Sequence, residues 1–187
     1  MEGRFKRELV ALIPHLRAFA RTLTGDQASA DDLAQDALMK AWDARASYQM
    51  GTNMKAWTFM ILRNQFYSEK RRSWRQTQLD QDAAERTLVA VDDPQAPVAL
   101  DELRLDLGML PAEQREALIL VGAGGFAYEE AAAICACAVG TVKSRVSRAR
   151  RALQGILETG SYHRDGRSAS EAMGSILADA EHLGQAR

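Results

Sequence analysis

Between Gln76 and Pro97 the helical patterning of the chain stops. The stretch is acidic, carries no sustained apolar stripe, and ends in Asp92-Asp93-Pro94 and Pro97. A connection of about 22 residues is too long for an ordinary loop inside one compact domain, so it divides the chain into two folding blocks. A short helix around Leu79 to Leu88 is the one element that would fit within it. Hydrophobic residues make up 47% of the 187 positions, enough for two small packed cores rather than a disordered chain.

Both blocks read as helical. In the first, Leu12, Leu16, Phe19, Ala20 and Leu23 recur at three- and four-residue steps and so share one face. After Gly25-Asp26, the series Ala30, Leu33, Ala34, Ala37, Leu38, Ala41 and Trp42 repeats the pattern, with Asp32, Gln35, Asp36 and Lys40 opposite. A loop over Tyr48 to Asn53 leads to a long helix that begins near Ala56 and runs into Lys70-Arg71-Arg72. The second block resumes with Leu100, Leu103, Leu107 and Leu110, and Pro111 suits the first turn of the next helix. Helices then follow at about Tyr128 to Cys135 and Ala138 to Leu157. Beyond a Gly- and Ser-rich stretch, Ser168-Ala-Ser-Glu171 fits a capping box ahead of a short amphipathic helix over 169–183. The expectation is an all-α chain of two small helical domains joined by a flexible linker: 1–75, linker 76–97, 98–157, and a C-terminal extension 158–187.

Taken as a total, a formal net charge of −1 argues against a polyanionic partner. Mapped along the chain, it does not. Residues 1–75 carry +5, 76–102 carry −6, 103–153 carry +2 and 154–187 carry −2. Two basic blocks flank an acidic tether, and local charge governs contact with phosphates.

The sharpest chemical signal lies between Tyr128 and Arg151. Two helices joined by a turn of about three residues make a helix-turn-helix, whose second helix can enter the major groove. Val139, Val142, Val146, Ala149 and Leu153 form one narrow apolar stripe. Opposite lie Gly140, Thr141, Ser144, Ser147, Arg148 and Arg151, with Lys143 and Arg145 on the flanks. Arg and Lys donate to guanine edges, and Ser or Thr bond bases or phosphates. Charge alone is weak support, because many solvated helices carry a cationic face. The turn, the small residues and the single stripe together favour DNA. The linker then has a natural measure: fully extended it reaches about 75 Å, about two turns of DNA.

These segments resemble extracytoplasmic-function (ECF) sigma factors of the sigma-70 family. Tyr128-Glu-Glu-Ala-Ala through Val139-Gly-Thr-Val-Lys-Ser-Arg-Val-Ser-Arg-Ala-Arg151 is similar to region 4.2, and Leu110-Pro-Ala-Glu-Gln-Arg-Glu-Ala-Leu118 to region 4.1. In the first block, Ala30-Asp-Asp-Leu-Ala-Gln-Asp-Ala37 with Trp42 resembles region 2.2, and Asn53 to Arg72 resembles regions 2.3 and 2.4. Gly51-Thr-Asn-Met-Lys-Ala-Trp57 and Leu120-Val-Gly-Ala-Gly-Gly-Phe126 further resemble the alphaproteobacterial general-stress, EcfG-like subgroup.

The resemblance implies roles residue by residue. Asp31, Asp32, Gln35 and Asp36 match the face that docks on the β′ clamp helices of core RNA polymerase; a plain solvated helix side is the competing explanation. Asn53, Met54, Lys55, Trp57, Arg63, Lys70 and Arg71 match the part of the family that opens and holds the −10 promoter element. Trp57, Phe59, Phe66, Tyr67 and Trp74 include candidates for stacking on unpaired bases. At helical spacing, Trp57 and Phe66 fit a core better than a base platform. Thr141, Lys143, Ser144, Arg145 and Arg148 match the −35 reader. The subgroup likeness implies a small helical anti-sigma factor that wedges between the two domains at rest, and stress-response genes as targets.

Other chemistries find no support. Cys135-Ala-Cys137 has no neighbouring Cys or His, so a metal site of usual spacing is absent, and no cofactor is expected. Gly122-Ala-Gly-Gly125 lacks the context of a dinucleotide fingerprint, and no catalytic arrangement appears, so an enzyme is not expected. No apolar run reaches membrane-spanning length, and Met1-Glu2-Gly3-Arg4 opens no signal peptide; the expectation is a cytoplasmic protein without membrane insertion. Two rivals remain: a helix-turn-helix regulator acting without core polymerase, and a decoy that mimics a sigma factor. The acidic helix face speaks against the first and the cationic face at Lys143, Arg145 and Arg148 against the second.

Overall fold

The computed structural model describes the backbone of residues 2–79 and 98–159, and the side chains of 2–75, 103 and 105–158. Most of the acidic linker, the expected helix within it and nearly all of the C-terminal extension, including 169–183, lie outside the described residues. Among the described residues eight α-helices follow one another: α1 (Glu2–Ala11), α2 (Ile13–Thr24), α3 (Gln27–Asp43), α4 (Met54–Leu79), α5 (Val98–Met109), α6 (Ala112–Gly122), α7 (Tyr128–Cys135) and α8 (Val139–Thr159), with a 3₁₀ turn over Ala44–Ser47. Among the described residues there is no strand. Helices α1–α4 and Glu129–Ala138 of the α7 segment form one compact unit; α5, α6 and α8 form the other.

Helix α1 is an element that the periodic spacing does not announce. Pro14 explains why it is separate. A proline lacks an N–H and its ring clashes with the carbonyl four residues back, so the chain breaks at Leu12 and restarts with Pro14 in the first turn of α2. Leu12 N–H bonds Leu9 O at 3.1 Å across this break. Phe5 and Leu9 of α1 are buried with Ala41, Tyr48 and Met54, and Leu12, Leu38, Trp42, Trp57 and Ile61 pack around them. The Phe5 ring meets those of Tyr48 (5.7 Å), Trp42 (6.2 Å) and Trp57 (6.2 Å), spacings at which aromatic edges and faces attract.

Helix α3 packs against both α2 and α4. Its inner face is mostly alanine: Ala30, Ala34, Ala37 and Ala41 are buried beside Leu33. Small side chains there leave room for Leu16 and Phe19 of α2 and for Phe59 and Leu62 of α4, all buried. Phe19 and Phe59 stack at 4.9 Å. The α2–α3 corner is set by two residues. Gly25 adopts φ +88° and donates its N–H to Arg21 O at 3.0 Å; Asp26 then caps α3 by accepting from Ser29 N–H at 2.8 Å.

In the second unit, α8 packs against α6 and α5. Val142, Val146, Ala149 and Leu153 are buried as the stripe predicts, while Val139 is only half-buried at the helix start. They meet a layer that includes Ala117, Leu118, Leu120, Leu103, Leu110 and Phe126. Pro111 stands at the N-cap of α6, one residue before the first turn, and its carbonyl accepts from Gln114 and Arg115 (2.9 and 3.0 Å). The glycines after α6 serve the chain reversal. Gly124 N–H bonds Ile119 O (2.8 Å) and Phe126 N–H bonds Leu120 O (3.1 Å). A Cβ at Gly124 would sit 2.6 Å from Leu120 O and 2.9 Å from the Phe126 ring.

Two outcomes follow. Gly124→Ala should destabilise the full chain by about 1–3 kcal/mol, since one of the clashing atoms is backbone and cannot rotate away; thermal melting checks this. Hydrogen bonds from Ser29 hold the Asp26 carboxyl below its ordinary value. Its capping contribution is therefore complete above the unfolded-state carboxylate range and lost as pH falls through the lower folded value. Asp26→Asn keeps a cap but no charge, so urea midpoints measured at neutral pH and at pH ~3 should differ less in the variant than in the parent.

Candidate nucleic-acid interface

Helix α8 turns a cationic face outward. Lys143, Ser147, Arg148, Arg150 and Arg151 are exposed, and no acidic residue interrupts 140–151. Of the expected −35 residues, Lys143 and Arg148 stand in solvent, while Thr141 and Ser144 are half-buried. The Ser144 hydroxyl donates to Thr141 O at 2.9 Å, which leaves its oxygen as an acceptor only. Lys143 Nζ lies 5.7 Å from the centre of the Tyr128 ring, a cation–π contact that steers the ammonium toward the start of α7. Arg145 departs from the expectation. Its guanidinium donates to the Glu113 carboxylate of α6, and only 18% of its side chain is exposed. It ties α8 to α6 rather than standing open to a base edge. Ser147 and Arg151 share the open face with Lys143 and Arg148.

The turn ahead of α8 has an unusual residue at its pivot. Ala136 N–H bonds Ala133 O (3.3 Å) and Cys137 N–H bonds Ala132 O (3.1 Å), the paired bonds of a Schellman closure. Ala136 holds the left-handed position, φ +51°, that glycine usually fills. Cys135 is buried in α7 and Cys137 is half-buried.

Helix α4 has two different ends. Asn53 caps the first: its Oδ1 accepts from Ala56 N–H at 3.0 Å and its Nδ2 donates to Glu130 Oε1 at 2.5 Å. Lys55, in the first turn, is half-buried; partial desolvation holds its ammonium below the ordinary lysine value, opposed by the charge of Glu130. Partial desolvation, and then Lys55, likewise hold the His15 imidazole below its usual value. Met54 and Trp57 belong elsewhere. Met54 is 5% exposed within the Phe5 cluster, and half-buried Trp57 packs against Phe5 and Tyr48, so both side chains contribute to the core. Burial of an apolar side chain outweighs its place next to polar neighbours in sequence.

The far end of α4 is basic and open. Lys70, Arg71, Arg72 and Arg75 are exposed, and Trp74 shows 67% of its surface. Half-buried Arg63 lies 4.5 Å over the Tyr67 ring and Lys70 6.0 Å from Phe66. Of the five aromatics considered for base stacking, Phe59 is buried, Trp57, Phe66 and Tyr67 are half-buried, Trp57 against the Phe5 cluster, and Trp74 alone is exposed.

On α3, Asp32, Gln35 and Asp36 are exposed along one stripe. Asp31 is half-buried and pairs with Arg17 of α2 at 3.0 Å. Met39, 57% exposed, extends the stripe by one turn. Its spacing of three from Asp36 and four from Gln35 marks it in the sequence, where an apolar residue on a polar face is easily passed over. Among the described residues no cluster of three metal-binding side chains occurs, and no helix is long and apolar enough to cross a membrane.

The arrangement has close counterparts among known proteins. A family model for Sigma-70 region 2 matches residues 9–76, and one for Sigma-70, region 4 matches 100–153. The chain is 48% identical over 150 residues to the ECF RNA polymerase sigma factor EcfG of Rhodopseudomonas palustris, spanning 80% of this chain and 83% of that protein. This chain is an ECF sigma factor. It thus acts in transcription initiation, lending promoter recognition to RNA polymerase. The sigma factor is also 33% identical over 129 residues to SigC of Mycobacterium tuberculosis, covering 68% of this chain and 70% of that one. Among solved structures it resembles the sigma factor RpoE in complex with the anti-sigma factor NepR from Bartonella quintana. That likeness has a TM-score of 0.75 and 48% identity, and covers 84% of this chain and 99% of that one.

The two tryptophan environments on α4, one packed on the core and one exposed, separate cleanly by experiment. Trp57→Ala should lower the stability of the full sigma factor by about 3 kcal/mol, whereas Trp74→Ala should change it by no more than ~0.5 kcal/mol. Urea unfolding followed by circular dichroism distinguishes them.

Proposed function

We propose that this sigma factor reads the −35 element with the open face of α8, through Thr141, Lys143, Ser144, Ser147, Arg148 and Arg151. The observation that carries the reading is the set of four exposed cations on α8, Lys143, Arg148, Arg150 and Arg151, opposite the buried Val142, Val146, Ala149 and Leu153. Arg145 supports that surface from below through Glu113. The −10 element is held by the two ends of α4. Asn53 and Lys55 receive the backbone of the strand, Arg63, Lys70 and Arg71 track phosphate, and Trp74 offers the stacking plane. Core polymerase docks through Asp32, Gln35, Asp36 and Met39 of α3 on the β′ clamp helices, with Asp31 orienting that helix through Arg17. The domains carrying these surfaces are 1–75 and 98–157, joined in sequence by the acidic linker 76–97.

The likeness to EcfG supports a role in stress-response transcription in the cytoplasm, where RNA polymerase works. The likeness to the Bartonella protein, solved with NepR, supports a small helical anti-sigma factor as the resting partner. Polymerase supplies the catalysis; the sigma factor supplies binding and strand separation.

Run-off transcription with purified core polymerase and a genomic promoter library tests the whole reading. The chain should bind core and start transcripts once any inhibitor is removed; failure of both would sink it. Arg148→Ala should reduce use of −35-dependent promoters by about 1–3 kcal/mol if it bonds a base edge. If it bonds phosphate, affinity should fall at all sequences and the salt slope by ~0.9. Core binding, measured separately, should stay intact.

A further inference from the structure

We propose that Glu130 is a built-in rival of promoter DNA for the corner formed by Asn53, Lys55 and the first turn of α4. The inference rests on the reading of that corner as part of the −10 contact. Asn53 and Glu130 lie 77 positions apart, yet Asn53 Nδ2 donates to Glu130 Oε1 at 2.5 Å. The amide cannot swing away freely, because its Oδ1 is held by Ala56 N–H as the α4 cap. Its Nδ2 is therefore presented to whatever anion occupies the corner. Lys55, in the same first turn of α4, adds an ammonium within electrostatic reach of the Glu130 carboxylate. The free N–H groups of a helix start add a partial positive charge.

Amide donor, ammonium and helix start together form a seat for an anionic oxygen, and the oxygen found there is a carboxylate of the same chain. A phosphate of single-stranded DNA has the same recognisable chemistry: anionic, acceptor-only and attracted to the helix start. Nδ2 has two hydrogens, but Glu130 holds one of them and its negative charge repels a phosphate that would approach the other. The neighbouring Glu129 is exposed and carries the same charge, which supplies an internal control. Glu130 thus lowers the fraction of free sigma factor that is competent to hold a DNA strand, and that fraction divides directly into the apparent affinity.

The test uses the full chain without polymerase and a fluorescent mixed-sequence single-stranded DNA of about 20 nucleotides at low salt, read by anisotropy. Glu130→Ala should tighten binding by up to about fivefold, the worth of a partly exposed charged contact. Glu129→Ala should tighten it clearly less, and Lys55→Ala should erase the gain from Glu130→Ala. Glu130→Gln keeps the shape and removes the charge; it should give part of the gain and serves if the alanine variant loses helicity. If Lys55→Ala and Asn53→Ala weaken binding but Glu130→Ala gains no more than Glu129→Ala, the corner binds DNA and the rivalry is overturned. If Lys55→Ala and Asn53→Ala leave affinity unchanged in every background, the −10 reading of the corner fails, and the proposal with it.

Discussion

The aromatic cluster around Phe5 determines where α4 begins, and much of the first unit's chemistry depends on that point. Tyr48 and Met54 are buried on either side of the short loop 49–53, so both ends of the loop are anchored to the core. The Tyr48 hydroxyl donates to Thr52 O at 2.6 Å and ties the loop back on itself. Asn53 is left at the boundary between core and solvent, where it can cap α4 and still present an N–H outward. A shift of this start by one residue would rotate the whole of α4 by ~100° and move its basic end with it.

The second unit depends on a simpler division of labour. Val142, Val146 and Ala149 of the buried α8 stripe are small or β-branched, which lets α8 lie close to α6 without exposing apolar surface. The opposite face is then free to be cationic at little cost, because its charges stay hydrated. Arg145 sits on the flank between the two, and there a neighbouring carboxylate captures it. Charge on a helix does not by itself reach a ligand. Which cations face outward depends on what the adjacent helix presents.

Much of this was legible without coordinates. The apolar stripes of α2, α3 and α8 follow from helical spacing, and the region 2 and region 4 likeness follows from contiguous motifs. Other features were hidden for physical reasons. Helix α1 has only two buried residues, and its separation from α2 needs the proline effect to be weighed against continuous helix-forming sequence. Met54 lies among polar neighbours, yet it is buried because Phe5, from a distant part of the chain, covers it. The pairing of Arg145 with Glu113 and of Asn53 with Glu130 spans 32 and 77 positions, separations over which spacing carries no information.

By itself, then, the sequence determined the class of structure and the kind of partner. Periodicity encodes which face of a helix is apolar, and the local sum of charges encodes attraction to phosphate even where the chain total is −1. Only the tertiary structure decided which polar residues remain available. Burial of Met54, packing of Trp57 on the Phe5 cluster, and capture of Arg145 and Asp31 in ion pairs arise from contacts between separate helices, which leave Trp74 and Met39 exposed. Hydrophobic burial and ion pairing act through space, so their outcome is set when the helices pack.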